Sequence, residues 1–138
     1  MGVEIDVVYT GQLHTDATHG PSKAKVSTDA PVDNGGKGES FSPTDLVATA
    51  LGTCMLTIIG LVAERNKIAV KGTTVHVTKE MSADAPRRIA KLTVVITFPK
   101  GLNLTDADKS KFAHAAKTCP VHHSLHPDIQ VPVEYIYP

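Results

Sequence analysis

A long run of apolar and small residues constrains the fold of this chain more than any other feature of its sequence. The run opens with Ser42, Pro43 and Asp45, which provide a hydroxyl cap, a proline suited to the first helical position and an acid in the first turn. The apolar positions that follow cover more than one face of a helix, which predicts burial nearly all round. At about 24 residues the helix would be roughly 36 Å long, which is more than the core of a small monomer covers. We therefore expect two copies of the chain to dimerise along it.

Size and charge limit the class of protein to which the chain can belong. It has 138 residues, of which 14 are Lys or Arg and 14 are Asp or Glu, so its formal net charge is zero. Such a chain has no overall field that would attract nucleic acid or an anionic membrane. Residues 46–63 lie between two acids and include threonines, which favours a core helix over a membrane span, and residues 1–9 lack the pattern of a signal peptide. We expect a single domain over residues 1–138, in a cytoplasmic protein that binds neither nucleic acid nor membranes.

The rest of the chain alternates between strand-like and helix-like patterns. Short stretches of alternating polarity predict an N-terminal meander, then a hairpin, then a last strand that Pro132 places at a sheet edge. Thr105 with Asp108 predicts the start of a second helix, which ends before Pro120. This order of elements is an α+β plan. The predicted strands are residues 3–8, 12–18, 23–28, 70–81, 89–98 and 129–136, with a loop at 30–40, a helix at 105–118 and a short helical turn at 121–125.

Two cysteines occupy different settings. Cys54 lies inside the long apolar run, and Cys119 stands beside Pro120 with His122 and His126 close behind it. In a reducing compartment a permanent disulfide is not expected, which leaves inert core thiols, metal ligands or a redox pair. A Cys and a His three residues apart on a helical turn can share one face and bind zinc, so a metal-binding cluster of Cys119, His122 and His126 is one alternative. Solvated histidines at a helix end are the other.

Two further stretches of the sequence are GGKGESFSPTDLVATALGTC, which ends at Cys54, and TCPVH, which contains Cys119. Together they resemble the OsmC/Ohr family of thiol-dependent organic hydroperoxide reductases. The Ser-Pro-Thr-Asp-Leu motif is similar to that of the OsmC-like branch, and the order of strands and helices matches along the chain. The resemblance implies an OsmC-like fold, with antiparallel sheets around a long central helix. It also implies an intertwined homodimer whose active sites lie at the subunit interface.

The resemblance implies a chemistry for the two thiols. Cys54 would be the peroxidatic nucleophile, and Cys119 the resolving thiol that closes a disulfide on it. The substrate would be an organic hydroperoxide, and no bound cofactor or metal would be needed. Reducing equivalents would come from an external dithiol such as a lipoylated protein. The competing interpretation is a noncatalytic OsmC-like protein that binds a metal or an apolar ligand.

The groups that would activate Cys54 differ from those of the family. Known peroxidases of the family carry an acid directly after the helix-starting proline and an arginine in the N-terminal strands. Here Thr44 follows Pro43, and the first arginine is Arg65. We therefore take Glu39, in the loop before the helix, as the polar partner of Cys54. The candidate cations for a Cys54 thiolate are Lys37, Arg65, Arg87 and Arg88. The candidate apolar wall beside it, which would equally serve as core, is Phe41, Leu51, Met55 and Ile58.

Overall fold

The computed structural model of the protein describes residues 2–138, which divide into two compact units, one that ends at Val47 and the other Ala48–Pro138. The N-terminal unit holds strands β1 (Ile5–Gly11), β2 (His14–His19) and β3 (Lys25–Asp29), and helix α1 (Pro43–Arg65) begins in it. The C-terminal unit holds the rest of α1, strands β4 (Thr74–Met81) and β5 (Ile89–Thr97), helices α2 (Asp106–Lys117) and α3 (Pro120–Ser124), and strand β6 (Val133–Ile136). The prediction of a single domain stays a prediction.

The N-terminal strands form the predicted antiparallel meander, in the order β1-β2-β3. Val7 lies opposite Ala17, and Ala17 lies opposite Val26. A bulge at the end of β1 leads into the turn, where Gly11 has a φ of 92° that suits glycine. The loop after β3 contains only a short 3-10 turn, Val32–Asn34, as its Gly-rich composition predicts.

The C-terminal sheet has the order β4-β5-β6 and mixed strand directions. The hairpin of β4 and β5 is antiparallel as predicted, and β6 lies at the edge where Pro132 placed it. However, β6 runs parallel to β5, so this pair differs from the antiparallel sheets that we expected. The reason is the connection: α2 and α3 lie between the two strands, and a helical crossover of this kind returns a strand in the same direction.

Helix α1 begins with the predicted cap. The backbone N–H of Ser42 donates to Asp45 Oδ2 at 2.9 Å, and the backbone N–H of Asp45 donates to Ser42 Oγ at 3.1 Å. These reciprocal bonds satisfy two of the donors that a helix N-terminus leaves free. A second capping box at Thr105 and Asp108 starts α2, again as predicted.

One stripe of α1 is buried, not nearly the whole helix. Leu51, Met55 and Ile59 are at most 1% exposed, and they pack with residues of β5 and α2 in the core of the C-terminal unit. The opposite side carries exposed Thr53 and Thr57, whose hydroxyls donate to the carbonyls four residues earlier. Because these local bonds satisfy the hydroxyls, the threonines face outward at little cost in free energy. The prediction of all-round burial is therefore wrong within one chain.

The apolar character of α1 also meets the criteria for a membrane span. By length and composition the helix could cross a bilayer, with a mean hydropathy of 2.2, and 33% of that window is buried within the protein. The core helix of a soluble protein meets the same criteria. The buried stripe along α1 agrees with our prediction of a core helix.

Gly52 lets α1 approach the C-terminal sheet closely. A Cβ atom at this position would lie 3.0 Å from Cγ2 of Val77 and 3.3 Å from Cγ1 of Val75. Both distances are shorter than ordinary carbon contacts, so a side chain here would push the helix off β4. The missing side chain of Gly52 thus sets the spacing between helix and sheet.

We expect Gly52→Val to lower the free energy of unfolding by about 1–3 kcal/mol, because its methyl groups have no room against Val75 and Val77. Chemical denaturation at one fixed protein concentration measures the change. Thr53→Val is the matched control, since it places the same side chain on an exposed position of the same helix. Equal stability of the two variants would contradict the close approach at Gly52.

Candidate active site

Cys54 and Cys119 have different surroundings in the C-terminal unit. Cys54 lies on α1 beside the buried stripe, and it is partly exposed. Cys119 is completely buried in the core and sits immediately before α3. Both are free thiols in this structure. Solvent and small molecules therefore reach Cys54 more easily than Cys119.

Cys119 is the N-cap residue of α3. Its sulfur accepts a hydrogen bond from the backbone N–H of His122 at 3.3 Å, and Pro120 occupies the first helical position. Proline suits this position because its missing N–H would have no partner inside the helix. The Thr-Cys-Pro-Val-His sequence therefore folds into a short turn that holds the thiol in one orientation.

The structure brings the two predicted cysteines together. Burial raises the pKa of the Cys119 thiol, and a hydrogen bond and charge interaction with Cys54 raise it further, while the backbone N–H groups of His122 and Val121 act in the opposite direction. A raised pKa keeps the proton on Cys119. The pair thus consists of a partly exposed cysteine that is hydrogen-bonded to a buried, protonated one.

Glu39 lies in the N-terminal unit, on the wall of a polar cleft. The cleft has a volume of about 240 Å³ and is lined by Thr10, Gly11, Gln12, His14, Asp29, Lys37 and Glu39. The Lys37 ammonium donates to Gln12 Oε1 at 2.6 Å across this cleft. The backbone N–H of Glu39 donates to Asp29 Oδ2 at 3.0 Å. Its predicted role toward Cys54 stays a prediction.

The N-terminal unit contains a hydrogen-bond network around His14 that the sequence did not predict. Nδ1 of His14 lies 2.5 Å from Asp29 Oδ1, and its Nε2 lies 3.1 Å from Asp16 Oδ1. Asp16 also accepts a hydrogen bond from Ser27 Oγ at 2.7 Å. The sequence shows His14 and Asp16 on one face of β2, but only the register of β2 against β3 places Asp29 opposite His14.

Comparison with known proteins identifies the family. The family model for OsmC-like proteins matches residues 36–134, which is most of the chain. The chain belongs to the OsmC-like family. No match is found among curated proteins.

Solved structures of OsmC-like proteins show the same fold. A candidate osmotic stress induced and detoxification response protein from Psychrobacter arcticus is 50% identical, with a TM-score of 0.89 over 95% of this chain and 93% of that one. The organic hydroperoxide resistance protein OsmC from Legionella pneumophila is 18% identical, with a TM-score of 0.78 over 99% and 97% of the two chains. A candidate organic hydroperoxide resistance protein from Vibrio cholerae, with captopril in one of its active sites, is also 18% identical, with a TM-score of 0.76 over 98% and 91%. The predicted OsmC-like α+β fold is confirmed.

The candidate cations of this OsmC-like protein occupy separate places. Lys37 lies in the N-terminal cleft, and Arg65 is exposed at the end of α1. Arg88, at the connection of the β4–β5 hairpin, donates to Asp84 Oδ1 at 3.0 Å. That bond lowers the pKa of Asp84. The assignment of one of these cations to Cys54 stays a prediction.

The predicted apolar wall divides between core and surface. Leu51 and Met55 are fully buried, and Ile58 packs partly against the same core, whereas Phe41 is 52% exposed in the N-terminal unit. The spacing of Leu51 and Met55 on α1 turns them to the sheet, because residues four apart lie on one helix face. These two residues are core, as the alternative interpretation had it.

The histidines near Cys119 do not form a metal centre. Among residues 2–138 no three or more His, Cys, Asp or Glu side chains are arranged to hold a metal ion, so the cluster of Cys119, His122 and His126 is not supported. His126 Nδ1 instead accepts the backbone N–H of Asp128 at 3.0 Å. His122 Nδ1 is buried and has no hydrogen-bond partner in the described part of the chain. His122 acts on the thiol pair through its backbone N–H, which donates to the Cys119 sulfur.

We expect iodoacetamide to alkylate Cys54 in the native protein before Cys119. Burial hides Cys119, and its raised pKa leaves little thiolate there at neutral pH, so reaction at Cys119 requires more alkaline conditions or unfolding. Mass spectrometry of peptides after timed labelling measures both rates. The Cys54→Ser variant should show almost no rapid labelling, and faster labelling of Cys119 than of Cys54 in native protein would contradict the arrangement.

Proposed function

We propose that this OsmC-like protein is a thiol-dependent peroxidase that reduces organic hydroperoxides to alcohols. The observation that carries the proposal is the hydrogen bond between the partly exposed Cys54 and the buried Cys119, whose raised pKa keeps its proton in place. The solved relatives described as organic hydroperoxide resistance proteins add support from the same fold. Glu39 is the polar partner that we assign to Cys54, from its place in the loop before α1.

The first step is nucleophilic attack by the Cys54 thiolate on the distal oxygen of the hydroperoxide. The O–O bond breaks, the sulfur gains a hydroxyl group as a sulfenic acid, and the other oxygen leaves as an alkoxide that takes up a proton to become the alcohol. The sulfur loses two electrons, and the peroxide gains them.

The second step forms a disulfide. The Cys119 sulfur attacks the Cys54 sulfenic acid, and the hydroxyl group leaves as water with the proton of Cys119. The hydrogen bond between Cys54 and Cys119 supports this step, because a disulfide of about 2.05 Å forms only between neighbouring thiols. An external dithiol then reduces the disulfide by thiol exchange and becomes a disulfide itself. We infer a lipoylated protein as the class of donor.

We propose that the protein acts as a homodimer. Leu61, on the side of α1 away from the buried stripe, is 42% exposed, and β1 exposes Ile5, Val7 and Val8 at 60% each. In the described part of the N-terminal unit the buried residues are polar, so its sheet lacks an apolar core of its own. A second copy would cover these surfaces, because apolar side chains in this number are costly to leave in water.

We expect Cys54→Ser to abolish dithiol-dependent reduction of cumene hydroperoxide, because a hydroxyl cannot replace the thiolate as nucleophile. Cys119→Ser should lose repeated turnover but still form one sulfenic acid per chain, which a dimedone adduct detects by mass spectrometry. The oxidised native protein should contain a Cys54–Cys119 disulfide. Thr57→Ser, on the exposed side of α1, is the control and should keep native activity. A native protein without turnover and with both thiols unreactive would contradict the proposal.

We expect light scattering coupled to size exclusion to give twice the chain mass of 14.6 kDa for native protein. Leu61→Glu should shift the mass toward that of one chain, because a carboxylate cannot be buried in an apolar interface without a partner. Thr78→Glu adds the same charge at an exposed position of β4 and should stay dimeric. A single-chain mass for native protein at every concentration tested would exclude the homodimer.

A further inference from the structure

His14 is held between two carboxylates in the N-terminal unit. Its Nδ1 faces Asp29 Oδ1 at 2.5 Å, and its Nε2 faces Asp16 Oδ1 at 3.1 Å. A neutral imidazole has only one N–H, so it can donate to only one of these oxygens. The geometry on both sides of the ring therefore suits the doubly protonated imidazolium, which can donate to both oxygens.

The other charged groups of this unit act on the two carboxylates. Lys25 acts on Asp16, and Lys37 acts on Asp29, while the Glu39 carboxylate lines the same cleft as the ring. From β1 the Tyr9 hydroxyl accepts the backbone N–H of Leu13, next to the ring. The hydrogen bond to Asp29 is the main reason that the pKa of His14 is raised above 6.5.

Asp29 connects the ring to the end of the Gly-rich loop. Its side chain is only 6% exposed, and its second oxygen, Oδ2, accepts the backbone N–H of Glu39. The backbone N–H of Asp29 donates to the carbonyl of Phe41, and Ser40 Oγ donates to the carbonyl of Ser27. The carboxylate of Asp29 therefore fixes the backbone at Glu39 only while it stays ionised and in place.

We propose that His14 and Asp29 are positioning residues that hold the backbone of Glu39 as an imidazolium–carboxylate pair, and that this hold weakens when His14 loses its proton. The inference rests on the proposed function through the role of Glu39. When the ring is neutral, the nitrogen without a proton faces a carboxylate oxygen, and the two lone pairs repel. A proton that remains on Nδ1 keeps only an uncharged hydrogen bond to Asp29, which is weaker than the charge-assisted one, so the hold on Asp29 and on the Glu39 backbone tied to it weakens.

The pH range over which the His14–Asp29 pair is charged follows from the directions of the pKa shifts. The pKa of His14 is raised, so its contribution is complete below 6.5 and is lost as pH rises through the higher value in the folded protein. Hydrogen bonds from His14 to Asp29 and from Ser27 to Asp16 lower the pKa values of both acids, so their contribution is lost as pH falls through those lowered values. The pair is complete between these two limits.

NMR titration of the full-length native protein tests the inference. We expect the ring protons of His14 to titrate with a midpoint above 6.5 and the amide signal of Glu39 to move with the same midpoint. In His14→Gln the Glu39 amide should stay at its alkaline position, and kcat/KM for cumene hydroperoxide should fall roughly ten- to hundredfold, as for a misplaced catalytic group. His76→Gln, at an exposed position of β4, is the control and should change neither readout.

His14→Arg separates positioning from general loss of structure. Arginine has several N–H donors and keeps its charge at alkaline pH, so the Glu39 amide should no longer titrate, and the variant should retain more of its neutral-pH kcat/KM than native protein above the His14 midpoint. A Glu39 amide that ignores the titration of His14 overturns the inference. An unchanged kcat/KM in the His14→Gln variant, measured when the native protein is active, also overturns the inference. Co-titration in a protein without peroxidase activity would support the hold on Glu39 and reject the proposed function alone.

Discussion

The packing of α1 against the C-terminal sheet is the contact on which the thiol pair depends. Gly52 brings the helix close to β4, and the stripe of Leu51, Met55 and Ile59 fills the space between helix, β5 and α2. Cys54 lies on the flank of this stripe, so its position is as fixed as the core itself. Cys119 is buried in the same core, where the end of α2 meets α3. The core thus holds two sulfurs together that are far apart in the sequence.

The two thiols differ because their surroundings differ, although their chemistry is the same. Burial keeps Cys119 protonated, and the turn at Pro120 aims backbone N–H groups at its sulfur. Cys54 is more accessible and receives a donor from Cys119. In the proposed cycle Cys119 stays reduced until Cys54 is oxidised, and its burial and raised pKa support that role.

The two units are stabilised by different interactions. The C-terminal unit has a continuous apolar core, whereas the buried residues described in the N-terminal unit are Thr28, Asp29 and Ser42. Polar networks of this kind fix orientation more than they add stability, because each buried polar group must first lose its water. The same unit exposes apolar side chains on β1, which is typical of a surface that another chain covers.

The sequence by itself determined the local elements and the family. Capping residues at Ser42 and Thr105, alternation in the strands and the turn at Gly11 act over a few residues, so the order of amino acids alone predicts them. For the two thiols the residues alone left a redox pair as one of three alternatives, and the resemblance favoured it. The parallel pairing of β6, the one-sided burial of α1 and the pairing of His14 with Asp29 were decided by tertiary structure. Each depends on how segments that are distant in the sequence pack or pair with one another. The free energy of that packing belongs to both segments together, so neither segment alone predicts it.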